Sequence, residues 1–171
     1  MPDFRDCSSQ IYFRPLTVTD VIEAMEIERA SHSHPWSEGN MRSCFGGMYQ
    51  NLGCCIQNDA GRKEGGDPLI GYAFLTVVLD EAQLLNLCVA PEYRASGVGA
   101  RILQKAKILA QDRGAKSIFL EVRQSNSRAI ALYLAMGFNE LGVRRGYYPS
   151  LNGREDALIM ALDLSDDIPD E

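Results

Sequence analysis

Arg94-Ala95-Ser96-Gly97-Val98-Gly99 is the stretch on which the fold reading turns. It lies between an apolar run, Leu84-Leu85-Asn86-Leu87-Cys88-Val89, and a segment whose Ile102, Leu103, Ala106, Leu109 and Ala110 fall largely on one helical face. A strand feeding a glycine-bearing turn that opens a helix makes an anion site. Glycine lets the backbone pass close to a phosphate, and the first-turn N–H groups of a helix have no intrahelical partner. The spacing is neither G-x-G-x-x-G nor G-x-x-x-x-G-K-[ST], so dinucleotide and P-loop readings both fail. Taken alone, Arg-x-x-Gly-x-Gly also suits a turn that holds no ligand.

Further along come Leu120-Glu121-Val122-Arg123 and then Asn126-Ser127-Arg128-Ala129-Ile130-Ala131-Leu132-Tyr133-Leu134-Ala135-Met136-Gly137-Phe138. With these pieces the chain resembles the GNAT family of acetyl-CoA-dependent N-acetyltransferases. Arg94, Gly97 and Gly99 match that family's pyrophosphate motif, and Asn126, Ala129, Leu132, Tyr133, Gly137 and Phe138 match its last helix and the turn after it. Four stretches are similar to the branch that acetylates the N-terminal alanine of a small-subunit ribosomal protein. They are Pro35-Trp36-Ser37-Glu38, Val78-Leu79-Asp80-Glu81-Ala82, Leu120-Glu121-Val122-Arg123, and Tyr147-Tyr148-Pro149 with Gly153-Arg154-Glu155-Asp156-Ala157. The likeness covers roughly residues 11–164, and the pieces in order are far more specific than any one of them. Ala95 departs from it, standing where many relatives carry a second basic residue. The stretch Asn58 to Asp67 is longer than the usual hairpin connection.

The resemblance implies an α/β fold with a mixed, mostly antiparallel sheet of about seven strands, splayed in the middle and flanked by about four helices. It implies acetyl-CoA as acetyl donor. The turn and first helical residues, Arg94, Ala95, Ser96, Gly97, Val98, Gly99 and Ala100, would hold the pyrophosphate. The backbone of Leu87, Cys88 and Val89 would pair with the pantetheine arm and polarise the thioester carbonyl; without the likeness these three read as an ordinary buried strand. Trp36, Tyr147 and Tyr148 would border the peptide entrance, where the sequence by itself shows only an edge-strand tyrosine pair. The implied partner is the N-terminal tail of a small-subunit ribosomal protein.

With 171 residues the chain is long enough for one domain with a real core. Its hydrophobic share of 46% and charged share of 23% place it among ordinary globular proteins. A net charge of −6 argues against general nucleic-acid binding, which needs a basic stripe. It suits a basic peptide, and equally suits plain solubility. The five cysteines (Cys7, Cys44, Cys54, Cys55, Cys88) are odd in number and form no C-x-x-C pair, and the histidines are only His32 and His34. A closed zinc site is therefore not expected, and no metal is assigned. Vicinal Cys54 and Cys55 would point to opposite faces of a strand, which disfavours their mutual bridging. No signal-peptide pattern or membrane-length apolar run is seen. The expectation is a cytoplasmic monomer with reduced thiols, without nucleic-acid or membrane partners.

Periodicity and punctuation give the element order. Residues 1–10 read as a flexible polar segment, 11–164 as the single domain, and 165–171 as an acidic tail. A first strand spans Ile11 to Leu16. Thr19 or Asp20 caps a helix with Ile22, Met25 (or Ala24) and Ile27 inward. Pro35 and Ser37 start a second helix, with Trp36, Met41 and Phe45 packed inward. Strands are expected at Leu52–Gln57, Leu69–Val78, Ala82–Ala90, Ser117–Arg123, Phe138–Arg145 and Asp156–Leu164. Helices are expected at Gly97–Arg113, ended by Gly114, and Asn126–Met136, stopped by Gly137.

Acyl transfer from a thioester to an amine needs a neutral amine, a stabilised oxyanion and a protonated leaving thiolate. An α-amine has a reference pKa near ~8 against ~10.4 for a lysine side chain, so an N-terminus asks less of the base. Glu121 is the candidate base, directly or through water. Alternation sets it on the face of Phe119 and Arg123, and burial in the strand would raise its pKa. Read alone, it is more readily a solvent-facing strand end or an ion pair to Arg123, and the resemblance reverses that reading. Tyr133 is the candidate acid, a role carried by the resemblance; on periodicity alone its helical face with Ala129, Ile130 and Met136 (or Gly137) reads rather as that of a core aromatic. Asn126 either caps the last helix or hydrogen-bonds the cofactor. Cys88 is not needed as a nucleophile, since the amine attacks directly, and the histidines read as loop residues. Two rivals stay open: a lysine or small-amine acetyltransferase, and a non-catalytic acyl-CoA-binding module.

Overall fold

In the computed structural model of the chain, residues 10–57 and 66–165 are described. The expected flexible start (apart from Gln10), the acidic tail (apart from Ser165) and most of the long Asn58–Asp67 connection lie outside them.

Seven strands form one sheet: β1 (Ile11–Pro15), β2 (Tyr49–Ile56), β3 (Leu69–Val78), β4 (Glu81–Val89), β5 (Ser117–Arg123), β6 (Asn139–Ser150) and β7 (Gly153–Asp163). Four helices accompany them: α1 (Val21–Ser31), α2 (Glu38–Ser43), α3 (Val98–Asp112) and α4 (Ser127–Ala135). The sheet order is β1-β2-β3-β4-β5-β7-β6. All neighbours run antiparallel except β4 and β5, which are parallel. Parallel strands need a long crossover, and α3 supplies it.

Side-chain period decides which face each element buries. In β5, Ile118, Leu120 and Val122 are buried while Phe119, Glu121 and Arg123 are only partly so. In α3, Val98, Ile102, Leu103, Ala106 and Ala110 form the buried stripe, each large aliphatic contributing about 1.5–3 kcal/mol. Gly114 (φ 88) and Gly137 (φ 91) take the left-handed conformation that ends α3 and α4. One core joins the sheet to α3 and α4 through Ile102, Leu103, Leu120, Tyr133, Phe138 and Met160. The second lies under α1 and α2, around Met25, Met41, Tyr72, Phe74 and Cys88. Cys54 belongs to the first and Cys55 to the second, so the pair does straddle the sheet.

Three local expectations are corrected. Ile22 is 65% exposed, because the buried stripe of α1 runs through Val21, Ala24, Met25 and Glu28. That spacing turns Ile22 about 100° away. Strand β2 begins at Tyr49, three residues before Leu52. Strand β6 continues past Arg145 to Ser150, since an irregularity between Arg144 and Tyr148 absorbs Gly146 (φ 56) and pairing with β7 then resumes.

The sheet opens where β4 and β5 part. Their ladder covers only four pairs, Glu81–Leu84 against Ser117–Leu120. At that point β4 carries a bulge, the β3 register stepping from Leu75↔Leu84 to Phe74↔Asn86 and leaving Leu85 unmatched. A bulge bends its strand and increases the local twist. Beyond it β4 stays on β3, β5 stays on β7, and a cleft lies between.

Candidate active site

The cleft has a volume of about 400 Å³. Glu121, Tyr133, Asn126, Leu87, Trp36 and Tyr148 all line it, so residues from five separated stretches of sequence meet there, Asn126 and Tyr133 both coming from α4 and its N-cap. Glu121 is the first residue of β5 past its last pair with β4. It points to the face opposite Leu120 and Val122, whereas Tyr133 packs with those two in the core on the α3–α4 side. The two reach one cleft from opposite sides of the sheet.

Glu121 is largely buried, and its Oε1 accepts from Arg144 Nη2 at 2.9 Å. The expected alternative partner, Arg123, pairs instead with Glu155 at 2.7 Å. Arg123 also donates to the Pro149 carbonyl at 2.7 Å and stacks its guanidinium 4.5 Å from the Tyr148 ring centre. Tyr148 donates its hydroxyl to the backbone carbonyl of Glu121 at 3.1 Å. Its phenol is pushed up to about 12, by burial first and by the neighbouring Glu121 carboxylate next. Tyr147 does not line the cleft. It sits beside Arg144, whose guanidinium lies 4.8 Å from its ring centre. A hydrogen bond to Glu121, and then burial, hold its phenol above the ordinary value.

Tyr133 is 7% exposed and packs its ring 5.6 Å from that of Phe138. Burial, with smaller contributions from Tyr148 and Cys88, pushes its phenol well above the usual tyrosine range. It is protonated throughout neutral pH, which a proton donor requires. The same burial makes it a weaker acid than a free phenol. Asn126 caps α4, its Oδ1 accepting from Ala129 N at 3.2 Å, and also lines the cleft. The cap is therefore settled, and it leaves the side chain at the cleft wall.

The turn before α3 is the candidate anion site of the sequence. Ala95 (φ 57) and Gly97 (φ 82) are both left-handed. The first intrahelical bond runs from Arg101 N to Gly97 O at 3.1 Å, so the amides ahead of it have no partner along the helix. Arg94 is folded back, its Nε donating to the Val89 carbonyl at 3.3 Å. A Cβ on Gly99 would meet Leu132 at 3.4 Å and Val89 at 3.7 Å, which shows how closely the turn sits on α4 and the end of β4. On β4, Leu87 and Val89 pack toward the α3–α4 core while Cys88 is buried on the other face. Among the described residues, the β5-side edge of Leu85–Val89 has no strand beside it. A ligand with an extended amide-bearing arm and a pyrophosphate fits such an edge ending in such a turn.

Sequence reasoning missed Glu28. It is 1% exposed, the buried charged residue among those described. Its Oε1 accepts from Trp36 N at 2.9 Å, and its Oε2 accepts from Asn86 Nδ2 at 3.2 Å and from the Tyr72 hydroxyl. Its place on the α1 stripe beside Ile27 was the available signal, since a carboxylate on an apolar face needs partners.

The model of the acetyltransferase (GNAT) family matches residues 21–138. The [ribosomal protein bS18]-alanine N-acetyltransferase of Escherichia coli K12 is 43% identical over 150 residues, which are 88% of this chain and 95% of that protein. The crystal structure of the ribosomal-protein-S18-alanine N-acetyltransferase from Escherichia coli superposes with a TM-score of 0.79 at 40% identity, covering 90% of this chain and 94% of that one. Arabidopsis thaliana NAA60 in complex with acetyl-CoA shares the fold, with a TM-score of 0.79 at 18% identity over 91% of this chain and 99% of its own. A splayed sheet, the family match and this extent of identity agree: the chain belongs to the GNAT family of acetyltransferases, enzymes that take acetyl from acetyl-CoA.

Proposed function

We propose that this enzyme transfers acetyl from acetyl-CoA to the α-amine of an N-terminal alanine, its acceptor being the tail of ribosomal protein bS18 in the cytoplasm. The observation that carries the reading is the meeting of Glu121 and Tyr133 from opposite sheet faces in the one cleft where β4 and β5 part. The similarity to the Escherichia coli enzyme of that name supports the acceptor.

Acetyl-CoA supplies an activated acyl group. Glu121, at the open end of β5, takes the amine proton, directly or through a water, and Arg144 beside it holds its orientation. Tyr133 is held protonated by its burial and gives its proton to the leaving sulfur. The backbone of Leu87, Cys88 and Val89 aligns the pantetheine arm. Arg94, Ala95, Ser96 and the amides of Gly97, Val98, Gly99 and Ala100 take the pyrophosphate, with Asn126 at the cleft wall. Trp36 and Tyr148 flank the acceptor, and Tyr147 acts one step back through Arg144 and Glu121.

The test is incubation with acetyl-CoA and paired peptides, one beginning with alanine and one with a blocked terminus and a free lysine, read by mass spectrometry. The alanine peptide is expected to be modified faster, helped by an amine pKa about two units lower. Preference for the lysine peptide would overturn the N-terminal assignment while leaving the acetyltransferase.

A further inference from the structure

We infer that Glu28 is the positioning residue of the acceptor wall, the joint that fixes the α1–α2 connection against β3 and β4. The inference rests on the acceptor reading above, and it concerns a residue to which neither the family motif nor the chemistry of transfer gives a role.

A fully buried carboxylate is costly unless its lone pairs are filled. Those of Glu28 are filled by three donors from three places: Trp36 N in the connection, the Tyr72 hydroxyl in β3, and Asn86 Nδ2 in β4. Asn86 is the residue just after the unmatched Leu85. Leu85 packs toward the α1–α2 core and Asn86 also reaches toward α1, so two successive residues of β4 face the same side, as the bulge permits. The bulge that opens the cleft thus also aims Asn86 at Glu28. The connection held this way contributes His34, Pro35, Trp36 and Ser37 to the cleft wall. The Trp36 ring lies 6.0 Å from that of Phe74.

His32 Nε2 (3.7 Å from Glu28 Oε2) and Cys88 also approach this carboxylate. Three such ligand atoms within 4.8 Å would suit a metal, yet the carboxylate oxygens are already engaged by hydrogen-bond donors. An anchor accounts for the arrangement and a metal site does not. Of the cofactor-edge residues Leu87, Cys88 and Val89, only Cys88 lies beside this carboxylate, while the Leu87 and Val89 side chains face the other core.

The experiment uses Glu28→Ala, Glu28→Gln and Tyr72→Phe in the full chain. Two readouts are taken: steady-state constants with an alanine-start peptide, and emission of Trp36, the single tryptophan. Loss of hydrogen bonds to a buried charge is worth about one to two powers of ten. Glu28→Ala is therefore expected to raise the peptide KM by about tenfold or more, with the acetyl-CoA KM changed by less than about twofold. Glu28→Gln keeps an acceptor for Trp36 N and is expected to recover part of the loss. Tyr72→Phe removes one donor with little change in shape and covers the case in which Glu28→Ala does not fold. Trp36 emission should shift to the red and become more open to acrylamide in Glu28→Ala. Equal rises in both KM values, or unchanged Trp36 emission and peptide KM in folded variants, would overturn the inference. If wild-type protein does not acetylate the peptide at all, the acceptor reading fails, and Trp36 emission still decides whether Glu28 anchors the wall.

Discussion

Arg144 reaches across the intervening strand β7 to place its guanidinium 2.9 Å from the Glu121 carboxylate. The pair ties the outer hairpin to the open end of β5. Arg144 is half exposed, so the ion pair adds about 1 kcal/mol or less to stability. A change at Glu121 should thus be read in catalysis rather than in folding.

Glu121→Gln is expected to lower kcat by about 10²–10⁴, with acetyl-CoA affinity kept and thermal stability shifted only slightly. Part of the rate should return at higher pH, as more of the amine is neutral. A near-wild-type kcat in the folded variant would remove Glu121 from the chemistry.

Tyr133→Phe retains the ring that packs on Phe138 and deletes only the hydroxyl. A comparable loss of rate is expected, again about 10²–10⁴, without recovery at higher pH. Circular dichroism and acetyl-CoA titration should match the wild type. If the rate is unchanged, Tyr133 is a core aromatic and the sulfur takes its proton elsewhere.

Gly97 tests the anion turn through its backbone. A Cβ there meets nothing within 4 Å, so the obstacle to a side chain is the φ of +82. For an L-residue this costs about 1–2 kcal/mol. Gly97→Val is expected to raise the acetyl-CoA KM by about tenfold and the peptide KM much less. Gly97→Asn, which tolerates left-handed φ, should retain most of the affinity. Equal acetyl-CoA affinity in all three proteins would unseat the turn as the pyrophosphate site.

Cys44, Cys54, Cys55 and Cys88 are free and buried, and burial pushes the Cys54 thiol up to about 12. The fold favours its protonated form. Its contribution is fully present below the ordinary thiol value, near ~8.5, and declines as pH rises toward the folded value. Urea midpoints should fall from about pH 9 upward, with a flatter slope in Cys54→Ala. A thiol reagent at neutral pH should reach these four only after unfolding. Rapid native labelling of Cys54 would contradict its burial.

Much of the site could be read from the chain because its parts are local. Asn126 caps the helix it precedes, Gly97 turns the chain into α3, and alternation along Ile118–Arg123 sets Glu121 opposite Leu120. What escaped reading depends on partners far away in sequence. Leu84–Val89 looks like an uninterrupted strand, and only its register against β3 reveals that Leu85 is unmatched. Glu28 draws its partners from 8, 44 and 58 residues away, so its place on the α1 stripe hints at burial while the partners that make it tolerable have no local signature. The run of β6 through Gly146 and Pro149 was hidden by two residues that usually end strands, here accommodated by the bulge and the edge position.

The four-pair ladder between β4 and β5 makes the sheet two leaves on a short seam. An extended ligand lying along Leu85–Val89 acts as a further strand and stitches the leaves below that seam. Acetyl-CoA should therefore raise the unfolding temperature in proportion to the logarithm of its concentration. Hydrogen exchange should slow selectively along the unpaired edge of β4, while β1 and the β6 edge exchange as before.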